Sequence, residues 1–218
     1  MRIKNVASQL TILFAIFLTG VAAQKPGPPA PASLNIRGSV ESGKYINPYF
    51  GFELQLPDKW ISLDQGETDT AIQMTAEASR SGNAEADRLI EQAADTSTTL
   101  FFFAKGPFGS IENASIAMTA KKMQSKVITA KMILEATKSA LLKNPKTTLV
   151  SDVEMEMIGG RQFAKMEMGL DMAGNPAPIR YYTTIPQGYA LTVSISSLSP
   201  EAGPKAEASL RSIKFKTK

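Results

Sequence analysis

Glu154, Glu156 and Glu167 are the residues whose type and spacing come nearest to a reaction centre. Two carboxylates held close together can divide general-acid and general-base work, as in glycoside hydrolysis. These three flank Gly159-Gly160 and are expected on facing strands of one hairpin. The stretch "SDVEMEMIGGRQFAKMEMGL" also accounts for them without catalysis. Glu154 and Glu156 alternate with Val153, Met155 and Met157, the pattern of a strand with one wet and one packed face. Lys165 has the parity of Glu167 on the second strand and reads as a cross-strand ion-pair partner. The hairpin reading outweighs the catalytic one.

Most other reaction centres are excluded by composition. The 218 residues include no His and no Cys, which removes Ser-His-Asp triads, Cys-His dyads and tetrahedral zinc sites. A serine nucleophile would need a lysine base, and neither a Ser-x-x-Lys spacing nor a Gly-x-Ser-x-Gly elbow occurs. Ten methionines raise the possibility of an adaptable apolar pocket or a soft-metal site. Met155, Met157, Met166 and Met168 alternate along the hairpin, however, and belong first to a packing face; Tyr181-Tyr182 is read as core in the same way. The scattered glycines form no phosphate loop, and Asn113-Ala-Ser115 is a chance-level glycosylation triad. No catalytic, cofactor-binding or metal-ligating residue is expected, and no cofactor.

The formal charge is +4, and Arg2 and Lys4 supply two of those charges. Nothing in that balance asks for nucleic acid. The basic ending "RSIKFKTK" reads as a solvated strand edge.

The elements that would position these residues begin after a leader. Arg2 and Lys4, the uncharged stretch Leu10 to Ala23 and the small residues before Gln24 have the layout of a signal peptide cleaved between Ala23 and Gln24. The apolar run is shorter than a spanning helix needs. No cysteine follows for lipidation and no twin-arginine pair is present, so a periplasmic or secreted protein is expected. "QKPGPPAPASLNIRGSVESG" (24–43) reads as a Pro/Gly-rich flexible tether, and residues 44–218 as one domain.

Within that domain Phe50, Phe52, Leu54 and Leu56 alternate as a half-buried strand ending at Pro57-Asp58, with Trp60 closing the core. "NAEADRLIEQAAD" (83–95) reads as a helix capped by Asn83. "TTLFFFAKG" (98–106) and "ASIAMTAKKM" (114–123) are expected to be neighbouring strands joined by a loop. The strongest helix is "ITAKMILEATKSALLKNP" (128–145), capped by Thr129, with Met132, Ile133, Ala136, Ala140 and Leu141 as its packed face and its lysines on a wet one. A meander follows, in which Tyr189, Leu191, Val193 and Ile195 share a face. Pro204 opens a closing helix that leads to Ile213 and Phe215. The fold class is α+β, an antiparallel sheet flanked by helices.

Three pieces, "YINPYFGFELQLPDKW", "ENASIAMTA" and "ASLRSIKF", together resemble the PsbP-like α/β/α sandwich family over about residues 44 to 216. The resemblance implies that Phe50, Phe52, Pro57 and Trp60 are fold markers. It implies an accessory or binding role and supplies no catalytic residues. The metal-associated histidines of the photosystem subunit have no counterpart here. The expectation is an exported, non-enzymatic binding or accessory protein whose partner is an envelope protein or other envelope component. The alternatives are a carrier of an apolar ligand or metal and a carboxylate-dependent hydrolase. Contact points are expected in the loops Gly106 to Asn113 and Asp171 to Pro178.

Overall fold

A computed structural model describes residues 35–64, 66–68, 70, 96–106, 114–172 and 175–216. The expected leader and the helix over 83–95 lie outside them. The described strands are β1 (Ser39–Glu41), β2 (Lys44–Asn47), β3 (Phe52–Gln55), β4 (Ile61–Ser62), β5 (Thr98–Ala104), β6 (Ala114–Lys122), β7 (Thr147–Ile158), β8 (Arg161–Met172), β9 (Asn175–Thr184), β10 (Tyr189–Ser197) and β11 (Lys214–Phe215). Helix α1 (Ala130–Leu141) precedes β7 and α2 (Ala202–Arg211) precedes β11.

The strands form two antiparallel sheets, a four-stranded one ordered β1-β2-β3-β11 and a seven-stranded one ordered β4-β5-β6-β10-β9-β8-β7. With α1 and α2 this is an α+β sandwich. One face of the large sheet carries Phe101, Phe103, Ile116, Met118, Leu191, Val193 and Ile195. These pack on Tyr45, Phe52 and Leu54 of the small sheet and on Ala206 and Leu210 of α2. On the other face Leu134 and Leu141 of α1 cover Ala164, Met166, Met168, Ile179 and Tyr181.

The aromatic opening of the domain serves the fold. Phe50, Phe52 and Leu54 are buried and Trp60 packs at the edge of their cluster. The Tyr45 ring meets the edge of Phe101 at 4.7 Å, a favoured geometry for aromatic pairs. Its hydroxyl donates to Leu100 O at 3.2 Å and accepts from Gly38 N at 2.9 Å.

The fold starts earlier than Lys44. Ile36 is buried in the main core, and its carbonyl accepts from the fully buried Asn47 amide at 2.9 Å. Ser42 and Gly43, at φ 48° and 75°, turn β1 back onto β2. The stretch read as tether through Gly43 is therefore part of the sandwich from residue 35. It lacks a hydrophobic alternation because its polar side chains face outward while its backbone completes the small sheet.

Two local signals fold as their chemistry dictates. Gly159 and Gly160, at φ 57° and 77°, make the two-residue turn between β7 and β8, the left-handed pair such hairpins require. Thr129 Oγ1 accepts from Met132 N at 3.2 Å and caps α1. The face of α1 differs from the expected one. Leu134 and Thr137 are buried with Ile133, Ala140 and Leu141, whereas Met132 is exposed. Consecutive Met132-Ile133-Leu134 fits more than one apolar stripe, and the sheet selects the stripe that meets Met166 and Met168. Helix α2 begins two residues before Pro204, which sits in its first turn, where a missing N–H costs nothing.

Candidate functional site

The carboxylates singled out in the sequence lie on the face of the sheet that α2 covers. Glu154 stands opposite Lys165 in register, with Nζ 3.4 Å from its carboxylate. This is the cross-strand pairing expected from parity. Lys165 also lies 3.8 Å from Glu156, whose other oxygen accepts from Arg211 of α2. Glu167 lies opposite Ser151 on one side and Arg180 on the other. Arg180 Nε donates to Glu167 at 2.9 Å and Nη1 donates to Glu207 at 3.2 Å. Glu207 closes the network, accepting from Arg211 at 2.9 Å and from the Tyr182 hydroxyl at 3.2 Å.

Electrostatics follow from this wiring. Burial pushes the Glu207 carboxyl up, but Arg211, Arg180 and Tyr182 together pull it below the usual carboxylate range. Burial pushes the Tyr182 phenol up, and the Glu207 charge adds to that. Glu156 and Glu207 hold the Arg211 guanidinium well above its ordinary value. A general acid working near neutrality needs a carboxyl shifted the other way, with a pKa near the working pH. Each candidate carboxylate is committed to a cation: Glu154 to Lys165, Glu156 to Lys165 and Arg211, and Glu167 to Arg180. The arrangement fastens α2 to the β7–β9 end of the sheet.

The methionines and tyrosines divide between core and surface. Met166 and Met168 are buried under α1, whereas Met155 and Met157 are exposed on the same side of the sheet, beyond the helix. The four do not converge as ligands. Among the described residues no group of three or more His, Cys, Asp or Glu is placed to hold a metal. Tyr181 and Tyr182 are both fully buried, Tyr181 in the cluster under α1 and Tyr182 in the main core.

Most of the segment Asp171 to Pro178 is strand, since Met172 pairs with Asn175. Residues 173 and 174, between those strands, lie outside the described residues. Of the segment Gly106 to Asn113 only Gly106 is described. Ser115 is buried in β6, and its hydroxyl lies 3.0 Å from that of Ser196; Asn113 lies outside the described residues.

Sequence reasoning missed an open groove of about 490 Å³ at the N-terminal end of α1. Met155 of β7, Gln162 of β8 and Ile185 after β9 form its floor, and Ile128, Thr129 and Ala130 its wall. Lys126 and Lys131 stand at its rim and make no ion pair among the described residues. Its lining comes from separate segments, so no local motif announces it. The smaller pocket of about 260 Å³ near β5 includes Arg37, Tyr45 and Thr99, whose polar groups are already engaged within the fold.

No family model and no curated protein matches the chain. The similar solved structures include cyanobacterial PsbP from Synechocystis, at 13% identity and a TM-score of 0.47 over 87% of this chain and 98% of that one. They also include LpqN of Mycobacterium tuberculosis, described as involved in cell envelope biogenesis, at 14% identity and a TM-score of 0.46 over 76% of this chain and 83% of that one. A third, PA94 from Pseudomonas aeruginosa, a protein of unknown function, has 15% identity and a TM-score of 0.40 over 51% and 75%. One of these structures is a PsbP, the family that the sequence resembles.

Proposed function

We propose that this protein is an exported, non-enzymatic binding or accessory module of the cell envelope. The leader-like residues 1–23 support export. No helix among the described residues is long and apolar enough to cross a membrane. The observation that carries the reading is a contrast between two sides of the β7–β8 hairpin. On one side the carboxylates nearest to a catalytic set are consumed in ion pairs to Lys165, Arg180 and Arg211. On the other, Met155 stands exposed in the groove and Met157 beside it, and Val127 is exposed at its approach. Exposed apolar groups gathered at one place mark contact surfaces, and methionine adapts to varied partners.

A second reading, carriage of an apolar ligand, is favoured by the groove itself. Its volume lies within the range of small-molecule sites. The test of the binding-module reading is photo-crosslinking in the source cell. A photoreactive residue replacing Met157 should give a recurring adduct that one replacing Lys214 of β11 does not. Equal labelling from both positions, or no adduct from either, would overturn it.

A further inference from the structure

We infer that the groove at the start of α1 takes a single-chain amphiphile with an anionic head, of the long-chain fatty acid class. This rests on the binding-module reading and names the ligand chemistry. The floor sets the tail. Met155 and Ile185 are apolar, Ile128 continues them up the wall, and Met157, 63% exposed and opposite Gln162 in register, extends the strand face of Met155. A volume of about 490 Å³ stands toward the small end of ligand sites, which suits one acyl chain better than two.

The rim sets the head. Lys126 and Lys131 both border the groove. The first amides of α1, at Ala130 and Lys131, have no intrahelical acceptor by helix geometry, and the helix start carries partial positive charge. Asp152 is the acidic group that bears on Lys131, and its carboxylate is already bonded by Lys138 at 2.6 Å. An anionic head therefore meets two lysines and free N–H donors, while its chain lies along methionine and isoleucine. A hard metal ion would find no carboxylate in the lining, and a soft one would find a single thioether, that of Met155. A neutral apolar ligand would leave the lysine pair unused.

The test is a fluorescence titration of the whole chain with cis-parinaric acid. The same titration is repeated in Lys126→Glu/Lys131→Glu, in Met155→Glu and, as a control on the far side of the sheet, in Glu154→Gln. Met155 and both lysines are at the surface, so these variants fold. Saturable binding is expected, weakened at least tenfold in the first two variants and unchanged in the third. Competition by palmitate, by lysophosphatidic acid and by hexadecanol then separates the heads. Displacement by either anion, with the alcohol at least tenfold weaker, supports the inference; displacement by palmitate alone identifies a carboxylate head, and by both a general anion. Non-saturable binding, equal affinity in all variants, or an alcohol as good as the acids overturns it. Absent probe binding with a protein adduct at Met157 removes this inference and leaves the binding-module reading; absence of both removes both.

Discussion

The Lys138 ammonium of α1 lies 2.6 Å from a carboxylate oxygen of Asp152 on β7, so one lysine joins the helix to the outermost strand of the large sheet. Glu135, one turn earlier on the helix, pairs with the same ammonium. Lys138 is thus a strut, and only part of the wet helix face expected from the sequence is wet. The Lys138 hydrogen bond holds the Asp152 carboxyl below its ordinary value, with Val153 N adding to it. A carboxylate Cγ titration by NMR should find Asp152 below the usual range, moving up toward it in Lys138→Met, where the Val153 N–H bond remains. A depressed carboxyl contributes stability above its unfolded pKa, and the contribution is lost as pH falls through the folded value.

Glu207 is the node of the second network, and its replacement separates charge from shape. Glu207→Gln keeps the volume but removes the charge facing Arg180 and Arg211. The expected cost is about 2 kcal/mol in urea unfolding. Because the Glu207 pKa is lowered in the fold, the wild type should lose this stability as pH drops below about 4, where carboxylates protonate. The variant should show a shallower acid limb, and parallel limbs would remove Glu207 as the node.

Gly159 and Gly160 share a turn but not a neighbourhood. A Cβ on Gly159 would stand 2.4 Å from Ile213 O, whereas one on Gly160 meets nothing within 4 Å. Gly160→Ala should cost only the left-handed backbone penalty of about 1–2 kcal/mol. Gly159→Ala should cost clearly more, because the turn must also separate from the segment before β11. Comparable melting temperatures for the two variants would contradict this packing.

The start of the domain is measurable by truncation. A chain beginning at Lys44 loses the Ile36 side chain, worth about 2 kcal/mol of apolar burial, and leaves the buried Asn47 amide without its Ile36 acceptor. It should melt well below a chain beginning at Asn35. Identical melting curves would return residues 35–43 to the tether.

Much of the scaffold was legible because period-two alternation is a strong signal when one face is buried. Phe52 and Leu54 read as inward, as did Leu191, Val193 and Ile195, and all are buried. The Gly159-Gly160 turn and the Thr129 cap were legible because each requires a specific residue type. Strand β1 was not, since Ser39 and Glu41 enter the sheet through backbone pairing alone. The helical turn at 66–68 differs, since Asp64 and Glu67 each accept from the other's backbone N–H, at 2.8 and 2.9 Å, as a capping box whose Asp-x-x-Glu spacing the sequence carries. The Glu154 to Lys165 pair followed from parity, but Arg211 and Glu207 join the network only after α2 folds back over the sheet. The groove had no local signature, because Ile128, Met155, Gln162 and Ile185 become neighbours only in the finished sandwich.

An amide chemical-shift map of the labelled protein, recorded as envelope extract from the source cell is added, tests the groove as the contact site most directly. Perturbations are expected at Ile128 to Lys131, Met155 to Met157, Gln162 and Ile185, with the Glu167, Arg180 and Glu207 region unmoved. Perturbations centred on that ion-pair network, or none at all, would contradict it.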